Sequence, residues 1–206
     1  TTQTNTAPPQ ATPTPQTVAT TPDNVPNKVV SIKTPLYQVK LDSKGALATS
    51  WVLTKNVSKW GEKQLWADGS NRETKIPLEL IPQENPKREF PFRLSTGDVA
   101  LDSLLNDKNY TVSSEGEITI NGSETKQVDF TFKEGDVEIT KTFIFRADSS
   151  LTDLKIKATR GEQPIPNTKL LIGMATGDQG IKVHNYYHVE PEAVSFANGY
   201  VDRHVA

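Results

Sequence analysis

The chain has 206 residues, with 23 basic and 25 acidic side chains, a formal net charge of −2, 14 prolines and no cysteine. Without cysteine there can be no disulfide scaffold, thiolate zinc site or cysteine nucleophile. The balanced charge argues against a nucleic-acid partner, which needs a concentrated basic face. No apolar run approaches the roughly 20 residues that cross a bilayer; Leu170-Leu171-Ile172-Gly173-Met174-Ala175 is about the longest.

Residues 1–27 hold nine threonines, six of the 14 prolines and one charge, Asp23. With few donors and no apolar period, such a stretch cannot offset its ordering entropy. It reads as a disordered, semi-extended linker, a plain spacer rather than a glycosylated stalk. Residues 28–206 carry the other 47 charged side chains and read as one domain, long enough to bury roughly 70% of its unfolded surface. No basic-then-apolar signal peptide opens the chain, so a targeting segment is expected to lie outside it.

From Lys28 the dominant period is two. Val30 and Ile32 alternate up to Pro35; Tyr37, Val39 and Leu41 follow, and Asp42-Ser43-Lys44-Gly45 reads as a hairpin turn. Leu47, Thr49, Trp51 and Leu53 then share one face of a returning strand. Residues 60–97, rich in charge, Pro and Asn, suggest a long excursion or loose strands. A short helix is expected from Asp98 to Asp107, with Asp98 as cap and Leu101, Leu104 and Leu105 at helical spacing. Ile118 and Ile120 lead into Asn121-Gly122, a strong turn signal. After it come Val128, Phe130 and Phe132, a turn at Glu134-Gly135-Asp136, and a long strand in which Val137, Ile139, Phe143 and Phe145 share a face across Lys141. Asp148-Ser149-Ser150 turns the chain into Leu154, Ile156 and Ala158. One apolar face per strand fits an antiparallel sheet half-exposed to water, and the class is all-β, with two packed antiparallel sheets in a sandwich.

Catalytic and binding patterns are sparse. His184 and His188 stand four apart with Glu190 and Glu192 just after, but Asn185 holds the place where a zinc protease has glutamate. In an extended segment four positions separate side chains by about 13 Å, too far for one metal. Asp136 with Glu138, and Glu190 with Glu192, are strand neighbours that read as solvated charges. Thr176-Gly177-Asp178-Gln179-Gly180 lacks the lysine and hydroxyl ending of a phosphate loop. Trp51 fits an inward strand face, whereas Trp60 and Trp66 lie in a polar stretch and are the candidates for a surface contact, with sugar as one ligand class. Asn56-Val57-Ser58, Asn109-Tyr110-Thr111 and Asn121-Gly122-Ser123 match the glycosylation acceptor pattern at near-chance frequency. No catalytic, cofactor-binding or metal residue is assigned.

Three stretches stand out in order: Val29 to Thr34 with Tyr37 to Leu41, Lys44-Gly45-Ala46 and Ser50 to Leu53; Val137 to Arg146 with Ser149 to Ile156; and Ala197 to His204. Together they resemble the large periplasmic domain of the YidC membrane protein insertase family. The resemblance implies a β-super-sandwich similar to galactose mutarotases, spanning residues 28–206 and truncated at its C-terminal end, as an excised piece of a longer membrane protein. It also implies a periplasmic position at the bacterial inner membrane and a non-catalytic role supporting membrane protein insertion. The partners it implies are accessory subunits of the Sec translocon and nascent inner-membrane proteins. A cleft could take an extended peptide by strand addition. A carbohydrate-binding sandwich and a mutarotase-like epimerase are the alternatives.

Overall fold

The computed structural model describes residues 25–67, 75–81, 83, 89–173, 192–197 and 199–205, with 192–197, 204 and 205 described by backbone alone. In chain order the strands are β1 (Val29–Lys33), β2 (Tyr37–Asp42), β3 (Leu47–Leu53), β4 (Lys55–Ser58), β5 (Gly61–Gln64), β6 (Leu78–Glu79) and β7 (Arg93–Ser95). After helix α1 (Val99–Asp107) come β8 (Thr111–Val112), β9 (Gly116–Thr119), β10 (Thr125–Glu134), β11 (Val137–Arg146), β12 (Asp153–Arg160), β13 (Gln163–Pro164), β14 (Lys169–Leu171), β15 (Glu192–Ala197) and β16 (Tyr200–Val205). The class is all-β, as the period of two requires.

Two five-stranded sheets carry the fold, in the orders β6-β3-β2-β1-β9 and β13-β12-β11-β10-β8; β4 with β5, β7 with β14, and β15 with β16 form separate pairs. From the first sheet Val30, Ile32, Tyr37, Val39, Leu41, Ala48 and Trp51 enter one buried cluster with Val128, Phe130, Phe132, Val137, Ile139, Phe143 and Phe145 of the second. The Tyr37 ring stacks on Trp51 with centroids 6.1 Å apart and lies 6.4 Å from Phe145. Its hydroxyl also donates to the Arg146 carbonyl at 3.0 Å, so one side chain of β2 bonds to β11 across the sandwich. Phe92 bridges Trp51 and Phe143, at 6.1 and 5.3 Å, in edge-on contacts that suit the ring quadrupoles.

Two details depart from the sequence reading. Lys40 pairs with Ser50 but Leu41 pairs with Ala48, which leaves Thr49 as an extra residue, a β-bulge. The bulge resets the in–out parity of β3, so Ala48 and Trp51 are both buried while Thr49, expected inward, is half-exposed. The second departure concerns Ile118 and Ile120. They do not extend the later meander: β9 runs parallel to β1, with Ile118 opposite Ile32. Ile120 N–H continues that ladder by donating to the Lys33 carbonyl at 3.0 Å. The turn at Asn121-Gly122 therefore carries the chain from one sheet to the other. Helix α1 forms as expected, with the Asp98 carboxylate accepting from the N–H groups of Ala100 and Leu101, and Leu101 and Leu105 are buried beneath it.

Every inward position of β11 is buried, and the central one is a lysine. Lys141 Nζ donates to the carbonyls of Gly45 and Phe92, both at 2.6 Å, and to that of Ala46 at 3.4 Å; it lies 5.6 Å from the Tyr110 ring centroid. Three carbonyls around three protons favour the ammonium form, and so does the ring face. Burial, joined by repulsion from the Arg93 guanidinium, acts the other way and brings the amine down to about 7.

The β2–β3 turn that supplies two of those carbonyls is left-handed at Gly45 (φ 68°) and Ala46 (φ 50°). Gly45 N–H donates to Lys108 O at 2.8 Å, and a Cβ on Gly45 would sit 2.5 Å from the Asn106 carbonyl oxygen. Asn106 cannot give way easily. Its side-chain amide exchanges two hydrogen bonds with the backbone of Leu94, at 2.9 and 2.8 Å, and donates a third to Asp102 O.

Two outcomes are expected. Gly45→Ala should lower the unfolding free energy by about 2–3 kcal/mol, combining left-handed strain with the clash. Gly135→Ala, where φ is 59° but nothing lies within 4 Å, should cost only about 1 kcal/mol; urea titrations of the two variants check the ordering. The second outcome concerns pH. The folded amine lies near 7 and the ordinary value is 10.5, so between them the unfolded chain binds more protons. Stability should therefore rise as pH goes from about 7 towards 10.5, by at most ~1.4 kcal/mol per pH unit, with no contribution to the slope below 7. Lys141→Met should abolish that rise in urea midpoints. Superimposable wild-type and variant slopes would show that the carbonyls hold the ammonium throughout.

Candidate docking site at the edge of the second sheet

The residues singled out by sequence do not gather into one site. His184, His188, Glu190 and the glycines of residues 176–180 lie outside the described residues. Glu138 faces Lys133 at 4.0 Å, and Asp136 and Glu138 line a polar groove of about 550 Å³ together with Lys133, Lys157 and Glu162. Trp51 is core, as expected. Trp66 is half-buried and bridges to Pro77, whereas Trp60 is exposed at the β4–β5 turn with Lys59 Nζ 4.9 Å from its ring centroid. Of the acceptor triplets, Asn109 is engaged: its side chain donates to Val25 O and accepts from Asn27 and Ser43.

The sheet edges differ in how they are closed. Along β3, the Glu79 carboxylate accepts from Trp51 N–H at 2.6 Å, Ile81 N–H at 3.0 Å and the Ser50 hydroxyl at 2.5 Å. Leu80 N–H and the Gln83 amide take the carbonyls of Trp51 and Thr49. Along β9 the flanking charges are paired, Glu115 with Lys28 and Glu117 with Lys33; charge of this kind blunts an edge.

The outer edge of β12 is different. Its far side pairs with β13 only at Thr159 and Arg160, and Ile165 N–H takes the Ala158 carbonyl at 3.0 Å. Over Asp153 to Lys157 no described strand lies on that side. In this segment Leu154 and Ile156, with Ala158 beyond, stand opposite Phe143, Lys141 and Ile139 of β11, yet they are only half-buried. Beside them opens a cleft of about 530 Å³ whose apolar walls are Leu94, Ile156, Ala158, Ile165 and Leu170.

Local sequence builds this cleft. Pairing of β7 with β14 sets Leu94 opposite Leu170. Gly161 and Glu162, both at positive φ (52° and 67°), form the tight β12–β13 turn that brings Pro164 and Ile165 alongside. Thr168 then donates to the Ile165 carbonyl at 2.9 Å and fixes the return. The rim is charged. Arg146 donates to Asp153 at 2.5 Å, and this bond holds the Asp153 carboxyl below the usual range and the guanidinium above its own. Lys155 and Lys157 follow on the outer face. Backbone donors and acceptors on an open edge, beside pockets spaced for alternate side chains, are the equipment of strand addition. Sequence reasoning named strand addition but not the strand. Alternation in β12 matches that in β10 and β11, and an unpaired side is not a property of a strand's own residues.

A family model described as Toastrack DUF4097 matches residues 58–202. No curated protein matches the chain. The matched stretch runs from the end of β4 into β16, so β1 to β3 precede it while packing into the same core. This match corrects the insertase resemblance, which rested on short strand segments. Their period-two alternation of polar and apolar residues is what any half-exposed antiparallel sheet demands, so such segments carry little family identity. With well over half of its length matched, the chain belongs to the Toastrack DUF4097 family.

Proposed function

We propose that this chain is a non-catalytic docking module that takes an extended polypeptide onto the outer edge of β12. The observation that carries the reading is the edge from Asp153 to Lys157, along which no strand among the described residues pairs, beside the Leu94–Ile156–Ile165–Leu170 cleft. Main-chain hydrogen bonds would supply affinity, and the cleft would select a ligand with an apolar side chain at every second position. Lys155 and Lys157 on the outer face favour acidic residues at the alternating positions. Translocon subunits and nascent inner-membrane proteins, the partners implied by the earlier resemblance, fall within the broad class of polypeptides that can present a strand.

A periplasmic setting at the bacterial inner membrane belongs to the same reading. It is supported by the Thr/Pro-rich, nearly uncharged composition of residues 1–27, which suits an extended tether. Among the described residues no helix is long and apolar enough to cross a membrane.

The test uses a fluorescein-labelled peptide library of alternating apolar and acidic residues, read by polarisation. Wild type should bind a subset in the micromolar range, about −8 kcal/mol at 1 μM. Ile156→Lys should weaken that binding about tenfold or more while leaving the melting temperature within a few degrees. Equal binding by this folded variant, or no binding across the library, would overturn the reading.

A further inference from the structure

The β4–β5 hairpin stands off the sandwich. Residues 56–64 are exposed throughout, on both faces, and the four rungs from Lys55↔Gln64 to Ser58↔Gly61 reach about 10 Å from the base. An isolated two-stranded hairpin is marginal in water, and hydrophobic side chains at its tip gain nothing from the fold. Yet Trp60 is placed there, 86% exposed, with Val57 at 54% in the β4 strand that leads into the turn. The turn is built to hold it out: Ser58 Oγ accepts from Trp60 N–H at 3.2 Å, and Gly61 takes φ 102°. The hairpin carries three lysines, Lys55, Lys59 and Lys63, against one glutamate, Glu62, which pairs with Lys55 at 3.1 Å, so Lys59 at the tip and Lys63 remain as its surplus positive charge in a chain whose net charge is negative.

We propose that this hairpin tip docks on a lipid surface rich in anionic headgroups, with the Trp60 indole at the headgroup boundary and Lys59 and Lys63 against phosphates. An indole has an apolar body and one N–H donor, which is why tryptophan collects at bilayer interfaces, and neighbouring lysines can reach phosphates while their stems lie along apolar surface. An anionic leaflet complements the hairpin's positive charge. Two other occupants fit less well. A stable protein interface buries about 800 Å² per partner, more than a two-residue tip offers. Sugar platforms stack on open indole faces, and Lys59 Nζ, 4.9 Å from the centroid, covers one of the two faces of this one. The hairpin is separate from the β12 edge, so this surface and the peptide site stand or fall independently.

The full chain is mixed with vesicles of equal parts phosphatidylglycerol and phosphatidylcholine, and with vesicles of phosphatidylcholine alone, and binding is read by sedimentation and by tryptophan emission. The expected result is salt-sensitive binding to the anionic vesicles with a blue shift. Trp60→Ser should remove the shift and weaken binding about tenfold, and the double change Lys59→Ser with Lys63→Ser should remove the salt dependence. Both variants should melt like wild type, since neither side chain is buried. Absence of binding to anionic vesicles overturns the proposal. So does binding that Trp60→Ser leaves unchanged, or equal binding to both vesicle types. Loss of binding to a soluble glycan or a protein ligand, with vesicle binding absent, would assign Trp60 to that occupant instead.

Discussion

Taking the Lys141 amine out of water costs on the order of several kcal/mol unless its protons find oxygens. The oxygens it finds belong to parts of the chain far apart in sequence. Gly45 and Ala46 come from the β2–β3 turn of one sheet, and Phe92 from the segment entering β7. With β11 at the centre, one side chain holds the first sheet, the second sheet and the short strand pair in a fixed relation. No described carboxylate accompanies the amine, so its pairing is entirely to backbone dipoles and one ring face. Backbone carbonyls hold their positions only while their own segments are fixed. The left-handed geometry at Gly45 and the Asn106 amide bonds are therefore part of the same arrangement.

The two sheets are finished differently around that centre. In the first, the outer edge of β3 pairs with the two-residue β6 at Val52 and Leu53 and is continued by side chains beyond it, above all the Glu79 carboxylate on Trp51 N–H and the Ser50 hydroxyl. In the second, β12 carries the same alternation as β11, but no strand among the described residues covers it along Asp153 to Lys157. Leu154 and Ile156 stay half-buried as a result. An edge with apolar flanks along which no described strand pairs is a binding template as much as a liability, and the charges at Asp153, Lys155 and Lys157 limit indiscriminate pairing. The proposed docking function therefore rests on an edge of the second sheet rather than on a cavity in the core.

Much of the fold could be read from the residues. Period-two alternation located β1, β2, β10, β11 and β12. The turn signals at Ser43 to Gly45 and at Gly135 fell where the chain reverses, and the Asp98 cap with Leu101 and Leu105 located the helix. Other features were not legible. The bulge at Thr49 is set by the pairing of β3 with β2, and alternation within β3 alone gives no sign of it. The parallel placement of β9 depends on β1, some 85 residues earlier in the chain. Short strand motifs pointed to the wrong family, because a half-exposed sheet imposes the same pattern on unrelated sequences.

By itself the sequence determined the local structure and the class: which segments are extended, which face of each is apolar, and where the chain turns. These follow from side-chain period and backbone preference within a few residues. Tertiary structure alone decided that Lys141, which alternation places among Ile139 and Phe143, could be buried there. It also decided which edge is closed by Glu79 and which part of β12 has no described strand alongside, and that Trp60 stands clear while Trp51 is enclosed. Each of these is a matter of what lies opposite a residue. A hydrogen-bond acceptor from a distant segment, or the lack of a strand alongside, exists only once the chain has folded.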